Sequence, residues 1–181
     1  LLLSSSGFSD KLKEQGVDQN RMLYFPNWAE DIEEIEYDVQ TARKYSVDGK
    51  FVIMFAGNIG RAQGLDDVIE AAKLTGANKD IVWMIVGDGT EYARLKEKVK
   101  QLKLEETVIM PGWQDKSAIG KVLSVASVFL VSLSDNEVLN ITLPGKVQTY
   151  MKMGKPIIAF MNGEGARLVE QSRSGRAVAA G

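Results

Sequence analysis

The sequence predicts an open, doubly wound α/β domain with a mainly parallel sheet, and three observations carry that prediction. Several short segments are apolar without alternation: Phe51–Ala56 (FVIMFA), Ile81–Val86 (IVWMIV) and Val128–Ser132 (VFLVS). Such runs mark strands buried on both faces, as in a parallel sheet covered by helices. Amphipathic stretches lie between them, so strands and helices alternate at about 25-residue spacing, the rhythm of βαβ units. Glycine-rich turns follow the strands, and ligands of such sheets sit outside the strands' carboxyl ends.

Taken in order, residues 1–3 are the stub of a buried strand. Residues 9–15 form a short polar helix ended by Gly16, and residues 22–25 a short strand ended by Pro26-Asn27. Residues 29–38 carry six acidic side chains, the mark of a solvated linker or helix face. After the strand at Phe51–Ala56, residues 65–74 place Leu65, Val68, Ile69 and Ala72 on one helical face. Gly87-Asp88-Gly89 ends the second strand, and residues 91–102 form a charged amphipathic helix. A third strand spans 107–110 before Pro111-Gly112, and a helix spans 117–125. Past the strand at Val128–Ser132, residues 135–137 read as a solvated loop. A helix then covers 145–153, with Pro144 before its start and Gly154 after its end. A strand at 156–160, a helix at 166–171 and a strand at 176–179 complete the pattern. The expected organisation is a crossing segment and linker over residues 1–47, followed by one α/β domain over 48–181.

Composition removes several chemistries. The chain has no Cys and no His. It therefore builds no disulfide, Cys/His zinc site, thiol nucleophile or Ser-His-Asp triad. Carboxylates, Lys and Tyr remain as acid/base groups, together with any group on another segment. With 22 basic and 24 acidic residues the net charge is −2, so no basic surplus points to nucleic acid. The opening Leu1-Leu2-Leu3 run is too short for a signal-peptide core or a membrane span. Both ends read as cut from a longer protein.

Function is sought in four loops. The first is Gly57-Asn58-Ile59-Gly60-Arg61-Ala62-Gln63-Gly64. Its glycines let backbone approach a ligand, and Arg61 offers a guanidinium fork suited to phosphate. Its spacing matches neither the dinucleotide fingerprint nor a P-loop. The second, Gly87-Asp88-Gly89-Thr90, reads as a helix cap or a crevice wall. In the third, Trp113 follows Pro111-Gly112, where it flanks a planar base or covers the core edge. In the fourth, Leu143-Pro144-Gly145-Lys146 opens a helix with a cation in its first turn, where it opposes the helix dipole. That conflict with a local rule is the kind met at ligand sites, because a bound anion would relieve it.

The segments GNIGRAQGLDDVIEAA, IVWMIVGDGTE, VIMPGW, LPGKVQTYMKMGKPIIA and NGEGARLVE together resemble the nucleotide-sugar domain of family 4 (group 1) glycosyltransferases, which have the GT-B fold. The opening segment resembles the crossing from the acceptor domain. LPGKVQTYMKMGKPIIA followed by NGEGA is similar to a bacterial subgroup that transfers N-acetylated amino sugars to surface-polysaccharide or lipid-linked precursors. The resemblance implies a retaining transferase using a nucleotide diphosphate sugar, with UDP as the expected nucleotide and no metal or other cofactor. The donor would rest on Gly57, Asn58, Gly60, Leu143 and Gly145, its base on residues 111–113, including Gly112 and Trp113. Arg61 and Lys146 are the expected catalytic cations, stabilising the departing diphosphate. The family commonly holds ribose with a Glu five residues before the glycine of Gly-Lys-Pro; here that position is Thr149, expected to meet a hydroxyl. The family's earlier Glu position is Ile141, and its usual Lys before the loop's last glycine is Gln63.

The implied partners are the sugar nucleotide and an acceptor domain outside this chain, without which no transfer is expected. A cytoplasmic setting is implied, with any contact to the inner face of the membrane made by parts outside the chain. Two other classes share the architecture. A nucleotide-sugar epimerase half would need His residues, which are absent. A non-enzymatic module of receiver type would need Asp clusters where this chain has Gly57 and Pro111.

Overall fold

The computed structural model describes residues 1–32 and 35–180. At the amino end, β1 (Leu2–Leu3) and β2 (Leu23–Tyr24) pair in parallel, joined through α1 (Phe8–Glu14). Helix α2 (Val39–Lys44) precedes the main sheet. That sheet contains β3 (Phe51–Ala56), β4 (Ile81–Val86), β5 (Val108–Gly112), β6 (Val128–Ser132), β7 (Ile157–Phe160) and β8 (Gly175–Val178). All its pairings are parallel, in the spatial order β5-β4-β3-β6-β7-β8. The connecting helices are α3 (Leu65–Thr75), α4 (Tyr92–Gln101), α5 (Lys116–Ser124), α6 (Glu137–Asn140), α7 (Gly145–Lys152) and α8 (Gly163–Gln171).

The apolar runs fold as strands because both of their faces are covered. Ile53, Phe55, Trp83, Ile85, Val128 and Leu130 point to the layer containing α3 and α4. Their neighbours Val52, Met54, Val82, Met84, Phe129 and Val131 point the other way, against α2, α5, α7 and α8. Period-two alternation between two buried layers puts apolar side chains on both faces, which is why these runs stay apolar until Ser132 at the end of β6.

The winding reverses between β3 and β6. These strands pair only at Ile53↔Val128 and Met54↔Phe129, then part. Above the split the hydroxyl of Tyr150 takes over from the missing strand. It accepts from the Ala56 N–H at 2.8 Å and donates to the Ala56 carbonyl at 2.9 Å. The Tyr150 ring stacks on Phe129 at 4.3 Å, so α7 holds the wedge open. Lys155, in the Gly-Lys-Pro turn after α7, donates to the carbonyls of Ser124 and Ala126 at 2.5 and 2.6 Å. Its ammonium thus satisfies carbonyls orphaned where α5 ends.

The structure departs from the sequence reading at three places. Asp38, the last of the acidic run, caps α2 by accepting from the Thr41 N–H at 2.6 Å. Ala42 in α2 and the following Val47 are both buried in the core, so residues 39–47 pack with the sheet. Glu33 and Glu34 of that run lie outside the described residues. Residues 135–137, expected as a solvated loop, are exposed, but Glu137 opens a short helix the sequence did not mark, α6, capped by Asn136 through the N–H groups of Val138 and Leu139. Strand β5 runs on through Pro111 to Gly112. An edge strand tolerates the proline, and the Gly112 carbonyl accepts from the Gly87 N–H at 3.0 Å. Among the described residues no helix is long and apolar enough to cross a membrane.

Candidate functional site

Two adjoining cavities open where the strand order reverses and beside it, at the carboxyl ends of β3, β4 and β5. The larger, about 460 Å³, is bordered by Asn58, Gly87, Asp88, Trp113, Gln114 and Lys116. The smaller, about 130 Å³, is bordered by Ala56, Lys146, Thr149, Tyr150 and Leu123. Gly57, Ile119 and Glu30 line both. Another cavity of about 610 Å³ lies between α4 and the edge strand β5, lined by Tyr92, Lys96 and Met110 among others. It stands away from the switch point, where a doubly wound sheet places its ligand.

Lys146 is the notable group of the smaller cavity. Its Nζ is buried and has no hydrogen-bond partner among the described residues. It lies 3.8 Å from the centre of the Phe55 ring, and a Cβ built on Gly57 would approach it to 3.2 Å. Burial alone pushes its pKa down to about 7, because a low-dielectric setting disfavours the charged form. The ring face partly offsets that penalty. A buried cation without a counter-charge is costly, so the site is built to gain from an anion. Helix α7 starts one residue earlier, at Gly145, where a Cβ would meet nothing within 4 Å. The N–H of Val147 donates to the Pro144 carbonyl at 3.0 Å, while those of Gly145 and Lys146 are left without an intrahelical acceptor, which makes this mouth receptive to negative charge.

The glycine-rich loop is closed by its own side chains. The Gly60 N–H donates to Gln63 Oε1 at 3.0 Å. Ser132 Oγ donates to the Gln63 carbonyl at 2.6 Å, the Ser134 N–H to the Ala62 carbonyl at 2.9 Å and Ser134 Oγ to the Arg61 carbonyl at 3.2 Å. These bonds tie residues 61–63 across the split to the end of β6. Gly57 (φ +142°) and Gly87 (φ +129°) press together here, a Cβ on Gly87 falling 1.9 Å from the Gly57 carbonyl oxygen. Both positions require glycine.

Of the residues singled out in the sequence, the structure gathers Gly57, Lys146 and Thr149 around the smaller cavity and Asn58 and Trp113 around the larger. Trp113 is 70% exposed, standing at the rim with one face free. Gly112, beside it, ends β5. Arg61 faces the other way. Its side chain is 92% exposed, with Nε 3.5 Å from Glu91, and together with Gly60, Asp66 and Arg94 it borders a separate polar hollow. Leu143 is buried and borders a hollow shared with Ser6, Glu164 and Arg167. The Thr149 hydroxyl accepts from the Glu30 N–H at 3.2 Å, so the chain's own backbone already occupies it. Sequence reading did not single out Glu30, Gln114, Lys116 or Tyr150. Glu30 lay hidden in an acidic run, and Gln114 and Lys116 had only their position after Trp113 to mark them.

A doubly wound, all-parallel sheet with two cavities where its strand order reverses is the architecture of the Rossmann-like half of GT-B enzymes. The chain belongs to the family described as glycosyl transferases group 1, whose profile matches residues 38–181. It is 29% identical to WcaI of Escherichia coli (strain K12), a protein named for colanic acid biosynthesis, over 83% of this chain and 37% of that protein. The fold is that of the Anabaena HepE structure in complex with UDP, with a TM-score of 0.81 and 17% identity over 99% of this chain and 50% of that one. The pneumococcal O-GlcNAc transferase GtfA, in complex with UDP and GlcNAc, superposes with a TM-score of 0.74 at 16% identity, over 99% of this chain and 34% of that one. The chain thus spans half or less of the length of each of these proteins.

Proposed function

We propose that this chain binds the donor of a retaining glycosyl transfer, a UDP-linked sugar, in the two cavities at the β3–β6 split. The observation that carries this reading is the buried, unpartnered ammonium of Lys146 beside the open start of α7. A diphosphate supplies the missing counter-charge, and the α7 amides add hydrogen bonds. When the glycosidic bond to the diphosphate breaks, negative charge grows on the leaving oxygen. Lys146 and the helix amides, fixed before the reaction, stabilise that charge more than the ground state. Arg61 supplies a second cation by turning from Glu91, which holds it only at 3.5 Å. No metal or other cofactor enters this scheme. The base lies in the larger cavity against Trp113.

UDP in the HepE structure and UDP with GlcNAc in GtfA support the nucleotide and an N-acetylamino sugar. The naming of WcaI for colanic acid biosynthesis supports a surface-polysaccharide or lipid-linked acceptor. Acceptor binding and any membrane contact are assigned to a further domain, so this chain alone is expected to bind donor without transferring sugar.

The test is calorimetric titration with UDP and UDP-sugars. Lys146→Met should lower UDP affinity by about tenfold or more, the scale of a lost charge-assisted hydrogen bond, and Arg61→Ala should lower it by less. Undiminished binding in both variants would remove the site from this cavity.

A further inference from the structure

The two cavities meet at three residues, and their chemistry differs in a way that bears on the middle of the ligand. This inference rests on the donor reading above. In a nucleoside diphosphate the ribose lies between base and phosphates and presents a vicinal diol, a pair of hydrogen-bond donors. With the base near Trp113 and the diphosphate at Lys146, the ribose falls where the cavities join. The residues lining both are Gly57, Ile119 and Glu30. Gly57 has no side chain and Ile119 offers hydrocarbon, whereas the Glu30 carboxylate has acceptor sites on two oxygens.

The main chain at Glu30 is fixed in place. Its N–H donates to Thr149 Oγ1 at 3.2 Å. Asp31 pairs with Lys152 at 3.7 Å, and Lys152 Nζ also donates to the Ile32 carbonyl at 3.3 Å. Ile32 packs against the core. The Glu30 side chain is exposed, with no ion pair holding it among the described residues. The other carboxylate at these cavities is unlike it. Asp88 borders only the larger one, and its Oδ1 accepts from the Gly89 N–H at 2.7 Å.

We infer that Glu30, carried on the segment that crosses the crevice, accepts the hydroxyl hydrogens of the ribose and makes the site select ribonucleotides over deoxyribonucleotides. A carboxylate accepting from a hydroxyl is a charge-assisted bond, stronger than a neutral one. A ligand lacking that hydroxyl forgoes the bond and binds more weakly.

Calorimetric titrations with UDP, 2′-deoxy-UDP and 3′-deoxy-UDP test this on the wild-type protein and on Glu30→Ala. Because the side chain is exposed and its peptide N–H survives the substitution, the variant is expected to fold. Wild type should prefer UDP over at least one deoxy analogue by about tenfold or more. In Glu30→Ala that preference should collapse, with UDP binding about as weakly as the analogue. A preference that persists in the variant, or wild type binding all three ligands alike, overturns the assignment. Failure of wild type to bind UDP at all would instead overturn the donor reading on which it rests.

Discussion

Lys146 makes the site sensitive to pH in two ways. Its pKa is pushed down to about 7 by burial, against an ordinary value of 10.5. Between these limits the unfolded chain holds a proton that the folded chain has released, so stability rises with pH across that window. Below pH 7 the charge is present in both states and the burial penalty is felt in full. Lys146→Met should therefore raise the unfolding free energy at pH 6 by on the order of a few kcal/mol, with the gain shrinking toward pH 10. Denaturant titrations across that range measure it. Binding has the opposite dependence, since a diphosphate favours the charged form. Above pH 7 each UDP bound must bring a proton to Lys146, and affinity should fall by up to about tenfold per pH unit. Calorimetry between pH 7 and 9, in buffers of different ionisation enthalpy, would detect that uptake.

At this same scale the sequence was partly readable. Lys146 stood out because a cation in a helix's first turn opposes the dipole, a conflict visible in a string of letters. Its lack of a partner was not visible, because that depends on Phe55, Leu123 and Gly57 closing around it from other elements. Arg61 shows the converse. Its loop position is legible, but the carboxylate that draws it outward, Glu91, comes from the N-cap of α4 in the next βα unit. Thr149 looked like a free hydroxyl, and only the fold brings the Glu30 peptide from 119 positions away to bond it.

At the scale of elements, α7 does more than cover the sheet. It supplies Lys146 and also Tyr150, whose hydroxyl replaces the strand pairing that β3 gives up at Ala56. Complete burial raises the Tyr150 pKa, with the Glu30 charge adding to the effect, so the phenol stays neutral and can both donate and accept. Tyr150→Phe would keep the stack on Phe129 but leave two buried backbone groups unpaired. The expected loss is about 1–3 kcal/mol in the unfolding free energy, measurable by chemical denaturation. A loss within a few tenths would show that water fills the place of the hydroxyl. The strands and longer helices were legible because their apolar periods are long and unambiguous. Helices α2 and α6 were missed because each spans fewer than two full turns and is defined mainly by a cap, Asp38 or Asn136. A cap residue in an acidic or polar stretch looks like any solvated side chain.

The whole molecule is built unevenly. The main sheet is sandwiched between two apolar layers, whereas β1 and β2 make a two-stranded parallel pair whose Leu2, Leu23 and Tyr24 are exposed. Leu1, Phe25 and Trp28 extend that apolar surface. A two-stranded sheet is marginal on its own. Its links to the body run through the segment after β1, among them the Ser5 hydroxyl on the Ile141 carbonyl at 2.6 Å and Lys11 on Glu137 at 2.7 Å. Amide exchange in β1 and β2 should therefore run through local opening, much faster than in β3, β4 and β6, whose protection should approach the global limit. Uniform protection across both sheets, read by mass spectrometry, would contradict this.

The bonds that stitch residues 61–63 to Ser132 and Ser134 bear on how fast a nucleotide is captured. A rim already shaped by its own serines and one glutamine has little ordering left to do when the visitor arrives. Capture should then be a single encounter, its rate climbing in proportion to nucleotide concentration with no slower closing phase behind it.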